Sequence, residues 1–287
     1  MTNPYRQFVE TIIDAERTAS KLPLGGLEAP PRPVPQADAP TALMFSPHPD
    51  DECIVGTLPL RLIRECGVRT VNVAVTLGSR KDRRGERRIE LRNACSFLGF
   101  ELVDLCEEGL EHVNEAGRNN EPSAWAGKVA RVQAVLEQWR PQAVFMPHRE
   151  DWNSTHEGTH WLVADALERM PNAFECTIVE TEFWHPIRNP NLMIEVAPDL
   201  VAELVGATTF HVGEVRRNPY HLSLPAWMRD NVRRGAEIVG GQGGDAPAFE
   251  FATLYQVSLW RNGERRPAEP PLRIVGARDR PQLPHLC

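Results

Sequence analysis

Two short stretches concentrate the side chains that could do chemistry. The first is His48-Pro49-Asp50-Asp51-Glu52, which directly follows the apolar run TALMFS. Three adjacent carboxylates beside a histidine repel one another, and a bound divalent cation relieves that repulsion and holds the acids ionised. Imidazole nitrogen and carboxylate oxygen are both ordinary zinc ligands. His48 and Asp51 are spaced so that one turn brings both to a single ion, while Asp50 points elsewhere, toward a water on that ion. A structural reading competes: acids at a helix N-terminus are favoured by the helix dipole, and spacing alone does not separate the two.

The second stretch is Asp151-Trp152-Asn153-Ser154-Thr155-His156, after the run QAVFMP and before a helical pattern that Ser154 or Thr155 can cap. His156 falls in the first turn of that helix, and His160 lies one turn on, on the same face. His156-Glu157-Gly158-Thr159-His160 also matches H-E-x-x-H, the zincin peptidase pattern, with two histidine ligands and Glu157 as base. This copy starts at a loop-to-helix junction rather than mid-helix, and Gly158 weakens a helix by up to about 1 kcal/mol. It would also leave the His48 cluster without a role.

The elements that must position these stretches alternate between strand and helix. Strand patterns are TALMFS, RTVNVAVTLG, ELVDLC, QAVFMP and CTIVETEFW; helical patterns cover 54–66, 84–98, 123–139 and 155–169. Such alternation predicts an α/β, Rossmann-like fold with a mainly parallel sheet and helices on both faces, whose sites form at the carboxyl ends of strands. Later, NLMIEV and FEFATLYQVSLW read as strands, 198–205 and 226–238 as helices, and the tail from Arg265 as irregular. At the other end, 5–20 reads as a helix with Phe8, Ile12, Ile13 and Ala15 on one face. Residues 21–40 are a Pro/Gly-rich connector that is neither helix nor central strand. The expected organisation is therefore 1–40 as helix and connector, and 41–287 as one domain whose C-terminal third shapes the substrate pocket.

Composition narrows the function classes. The chain has 287 residues, 41% of them apolar, and a net charge of −7. That is ordinary for a soluble globular protein and argues against a large nucleic-acid surface. The basic cluster at 80–92 contains acids as well, and reads either as a solvated face or as a contact for an anionic substrate group. Six scattered cysteines show no C-x-x-C spacing and fit a reducing compartment. The N-terminus lacks a signal-peptide pattern and no stretch is apolar enough to span a bilayer, so a cytoplasmic location is expected. A homo-oligomer stays open.

Taken together, the motifs resemble the PIG-L/LmbE-like zinc-dependent N-deacetylase family. The carrying residues are His48-Pro49-Asp50-Asp51-Glu52, Arg87-x-x-Glu90-x-x-x-Ala94-x-x-x-Leu98-Gly99, and His156 closing the second stretch. The resemblance covers roughly 40–195. It implies His48, Asp51 and His156 as Zn2+ ligands, with iron or manganese as alternative metals for a two-His, one-carboxylate site. It implies Asp50 as general base, a metal-bound water as nucleophile, and an N-acetylated or otherwise N-acylated amino sugar, such as an N-acetylglucosamine derivative, as substrate. One departure is clear: many members carry His-Pro-Asp-His where this chain has Asn153-Ser154-Thr155-His156. The first histidine of that set is thought to hold the oxyanion; Asn153 can donate a hydrogen bond there but cannot carry a proton. Supporting or substrate-contacting roles are expected for Glu52, Arg87, Asp151, His185, Tyr220 and His221. Two rival readings are the zincin peptidase and a sugar- or metal-binding homologue with impaired catalysis.

Overall fold

The computed structural model describes residues 3–243, 245–268 and 274–286. Its centre is a parallel block of five strands: β1 (Thr41–Ser46), β2 (Arg69–Ala74), β3 (Glu101–Asp104), β4 (Ala143–Pro147) and β5 (Cys176–Thr181), in the spatial order β3-β2-β1-β4-β5. All six residues of β1 are buried. Its alternate side chains enter two cores, Ala42 and Met44 on one face and Leu43 and Phe45 on the other. That is why the strand reads as a continuous apolar run: helices cover both faces. The chain leaves β1 first toward β2 and later, on the other side, enters β4. The carboxyl ends of β1 and β4 therefore flank the point where strand order reverses, where α/β sheets open a crevice.

The helices are α1 (Arg6–Ala19), α2 (Asp51–Ile54), α3 (Thr57–Cys66), α4 (Arg84–Leu98), α5 (Glu115–Asn120), α6 (Pro122–Trp139), α7 (Ser154–Leu167), α8 (Pro198–Thr208), α9 (Val212–Arg217) and α10 (Leu224–Ile238). Gly99 closes α4 in the left-handed region (φ 75°), as a helix-ending glycine does. Beyond the parallel block, β7 (Ala252–Arg261) pairs antiparallel with β5 and with β6 (Leu192–Glu195). The only partners of β6 among the described residues are β7 and β9 (Ile274–Val275). None of the described helices is long and apolar enough to cross a membrane.

Four sequence expectations change. The helix expected over 54–66 is two helices, α2 and α3, and starts earlier. The break falls at Gly56, where a Cβ would meet the Glu52 carbonyl and a Leu204 methyl, both at 2.9 Å. The tail after Arg265 is not wholly irregular. β8 (Glu264–Pro267) turns back on β7 through Asn262 (φ 56°) and Gly263 (φ 74°), a two-residue hairpin in which both residues need positive φ. The connector also belongs to the compact body: Leu24 packs on the main core, and Arg32 is held by the Phe97 carbonyl and the Glu203 carboxylate. Finally, Cys53, Cys95, Cys106 and Cys176 are free thiols, whereas Cys66 is disulfide-bonded, which departs from the expectation of thiols throughout.

Candidate functional site

The loop after β1 delivers His48, the first residue of α2 delivers Asp51, and the first turn of α7, after β4, delivers His156. Their ligand-type atoms converge. His48 Nδ1 lies 3.2 Å from His156 Nε2 and 3.4 Å from Asp51 Oδ2, and His156 Nε2 lies 3.3 Å from the same oxygen. Ligands about 2.0–2.1 Å from a tetrahedral ion stand about 3.3–3.4 Å apart, so these three atoms occupy one face of such a tetrahedron. Two imidazole nitrogens facing each other beside a carboxylate fit a shared cation better than one another. Behind them, Asp151 Oδ2 stands 3.3 Å from His156 Nδ1, the other ring nitrogen, in the manner of a carboxylate that orients a ligand histidine.

Charge follows the same geometry. Burial alone would raise the Asp51 carboxyl, but the two imidazoles beside it hold it well below the usual carboxylate range. Burial disfavours the charged His156 ring, yet Asp51 and Asp151 overcome this and raise it to about 10. Asp50 goes the other way. Burial first, then the charge of Asp51, push its carboxyl up to about 6 against His211, Arg87 and a hydrogen bond from Tyr220.

Asp50 itself has φ 117°, in the left-handed region where a residue with a side chain is strained. Such a conformation costs of order 1–3 kcal/mol and persists only where its surroundings over-determine it. Here they do. The Asp50 N–H donates to Glu52 Oε2 at 2.9 Å, and the Tyr220 hydroxyl donates to Asp50 Oδ2 at 2.5 Å. The Arg87 guanidinium donates to the Pro49 carbonyl at 2.9 Å and lies 3.9 Å from Asp50 Oδ2.

His48, Asp50, Asp51, Arg87, His156 and Tyr220 line a cavity of about 750 Å³. Trp184 and Tyr220 supply aromatic wall, while Ser79, Asn114 and Asn218 supply polar wall. Asn153 lines it too: its Oδ1 accepts the Thr155 N–H at 2.9 Å and caps α7, so its amide nitrogen is the group with a hydrogen left to donate. Lys81 and Arg84 both pair with Glu111 at 2.8 Å, so this part of the basic 80–92 cluster is partly neutralised at the cavity rim.

Residues 43–167 match the family model PIG-L, described as GlcNAc-PI de-N-acetylase. The match covers under half of the chain. The matched stretch runs from β1 to the end of α7 and so contains His48, Asp50, Asp51, Asn153 and His156. Solved structures agree on the fold at low identity. GalB, the 4-carboxy-2-hydroxymuconate hydratase from Pseudomonas putida KT2440, aligns with a TM-score of 0.59 and 16% identity over 76% of this chain and 95% of that one. The conserved protein TT1542 from Thermus thermophilus gives 0.57 and 18% over 75% and 93%. The N,N'-diacetylchitobiose deacetylase from Pyrococcus horikoshii gives 0.55 and 16% over 87% and 92%. No curated protein matches the sequence. The fold thus occurs in both a deacetylase and a hydratase.

The remaining expected site residues divide. Tyr220 and Arg87 reach the cavity; His185 and His221 do not line it. His185 stacks on the exposed Trp152 ring, centroids 5.4 Å apart, and offers its carbonyl to His148. His221 is buried, and burial lowers its pKa. His160, the second histidine of the H-E-x-x-H match, points away from the ligand atoms: its Nδ1 donates to the Pro147 carbonyl at 2.9 Å. Gly158 in that match has a packing reason, since a Cβ there would lie 2.2 Å from the Val113 carbonyl oxygen. The PIG-L motifs gave no sign of the 110–114 and 76–79 rims. The signal available was positional: both rims follow the carboxyl ends of β2 and β3, the same edge of the sheet as His48 and His156.

Proposed function

We propose that the protein is a metal-dependent hydrolase that removes an N-acetyl or other N-acyl group from an amino-sugar-like substrate. The observation that carries this reading is the set of three ligand atoms at tetrahedral spacing with the Asp50 carboxylate beside it, inside a stretch that matches a de-N-acetylase family. His48, Asp51 and His156 would hold the ion, leaving a position open as catalytic sites require. Zinc suits this donor set, and Fe2+ or Mn2+ are alternatives. When bound, the metal supplies Lewis acidity toward a water and the acyl oxygen.

The protein's own groups do the rest. Asp50 accepts a proton from the attacking water and returns it to the leaving amine. Tyr220 fixes the orientation of that carboxylate through its 2.5 Å hydrogen bond. The Asn153 amide offers an N–H to the developing oxyanion. Trp184 and Tyr220 offer an aromatic face to a sugar ring, and Ser79, Asn114 and Asn218 offer partners for its hydroxyls.

The test is acetate release across a panel of N-acylated amino sugars and simple acyl amides, with metal content measured in the same preparation. An anomalous map at the zinc edge of a loaded crystal should show one ion about 2.0–2.2 Å from His48, Asp51 and His156. Amides left intact while an unsaturated carboxylic acid is hydrated would replace this reading with the hydratase reaction that GalB shares the fold with. An ion held by His156 and His160 without His48 would replace it with the peptidase reading.

A further inference from the structure

Asp50 is held from a part of the chain far from its own loop. Glu52 and His211 form an ion pair whose side chains are both 0% exposed. Glu52 spends one carboxylate oxygen on each neighbour: Oε1 accepts from His211 Nε2 at 2.6 Å, and Oε2 accepts the Asp50 N–H at 2.9 Å. The second bond has a geometric consequence. With the N–H anchored, φ sets the direction in which the Asp50 Cβ leaves the peptide, and that φ is 117°; the Tyr220 hydrogen bond then holds the carboxylate at its end. His211 therefore acts on Asp50 at one remove, by fixing the group that anchors its peptide.

The same short segment reinforces the arrangement. α9 starts directly after His211 and carries Glu214, whose carboxylate lies 2.8 Å from Arg83 and 3.7 Å from Arg87. Tyr220, just beyond α9, binds the Asp50 carboxylate itself. Glu52, Cys53 and His211 also lie close enough together to be considered as a cation site. The 2.6 Å contact argues against that, because ligands around one ion stand about 3 Å or more apart, whereas 2.6 Å is a direct hydrogen bond.

We propose that His211 is a positioning residue for the hydrolysis: through Glu52 it sets the Asp50 peptide, and with it the direction of the carboxylate toward the reacting water. This rests on the reading of Asp50 as the base.

The test compares His211→Phe, which keeps a ring but loses the donor, with His211→Gln, which keeps a donor. Both are made in the full chain. Crystal structures, kcat, KM and metal content are measured for each. His211→Phe should lower kcat about 10- to 100-fold, the scale of a misaimed catalytic group, with KM within about twofold and metal content unchanged. Asp50 should leave the positive-φ region in that structure. His211→Gln should restore most of kcat and the native φ. If His211→Phe does not fold, His211→Asn, whose amide is too short to reach Glu52, takes its place against Gln. An unchanged φ and kcat in the donor-less variant would overturn the proposal. So would parallel loss of metal and activity, or loss of a second metal equivalent, which would make the cluster a ligand set. A wild-type protein inactive on every acyl amide would refute the hydrolase reading, while the φ comparison would still decide the role of His211.

Discussion

Asn153 allows stability and chemistry to be separated at one side chain. Its Oδ1 caps α7 through the Thr155 N–H at 2.9 Å, and the residue lines the cavity with its amide nitrogen left to donate. Asn153→Ala removes both functions. The lost cap costs about 1 kcal/mol, a fall in Tm of about 2–4 °C for a chain of this size. The lost donor should lower kcat by about 10- to 10³-fold. Asn153→Asp divides the two. A carboxylate caps as well as an amide and gains from the helix dipole, so Tm should stay level or rise. It offers no N–H and sets a negative charge where the oxyanion forms, so kcat should fall at least as far as in the alanine variant. Asn153→His should show the reverse: a donor kept, a cap weakened, activity retained with a lower Tm. Steady-state kinetics and thermal melts on the three variants are sufficient. A wild-type kcat in Asn153→Asp would by itself sink the oxyanion role and leave capping as the residue's job.

Asp50→Asn should keep its metal and lose at least about 10²-fold in turnover. Because asparagine tolerates positive φ, Tm should hold, and equal losses of metal and activity on metal analysis would make Asp50 a ligand instead. Gly158→Ala should lower Tm by several degrees. The helix gains up to about 1 kcal/mol in propensity, but the new Cβ would meet the Val113 carbonyl oxygen at 2.2 Å, and overpacking of that kind costs about 1–3 kcal/mol. A higher Tm would show that the 113–114 rim moves aside freely.

The parts of the site carried by strand ends were legible because the physics there is local. An apolar run followed at once by His48-Pro49-Asp50-Asp51-Glu52 announces a strand delivering a histidine and acids at its carboxyl end, and the stretch before His156 repeats the arrangement after β4. Spacing within a turn is likewise local, and it brought His48 and Asp51 together. What the sequence left hidden depends on long-range packing. Nothing near Glu52 announces His211, which reaches it across most of the chain. Nothing in the periodicity of 54–66 reveals the break at Gly56, where Leu204 and the Glu52 carbonyl leave no room for a Cβ. The inward turn of His160 depends on the Pro147 carbonyl, a neighbour supplied by β4. One miss was avoidable: Asn262-Gly263 between apolar and charged residues is a hairpin signal, and the tail after β7 could have been read from it.

The place of β6 in the sheet bears on how this protein comes off the ribosome. Its partners, β7 and β9, are both synthesised after it. Until β7 emerges and docks against β5, β6 has no edge to join, and the parallel block ends in an open β5 edge. Open edges of this kind recruit other chains, and pairings between distant segments form slowly. The nascent chain thus carries its parallel block, with His48, Asp51 and His156, through a window in which an unpaired edge is exposed, and the window closes only when the last strands arrive.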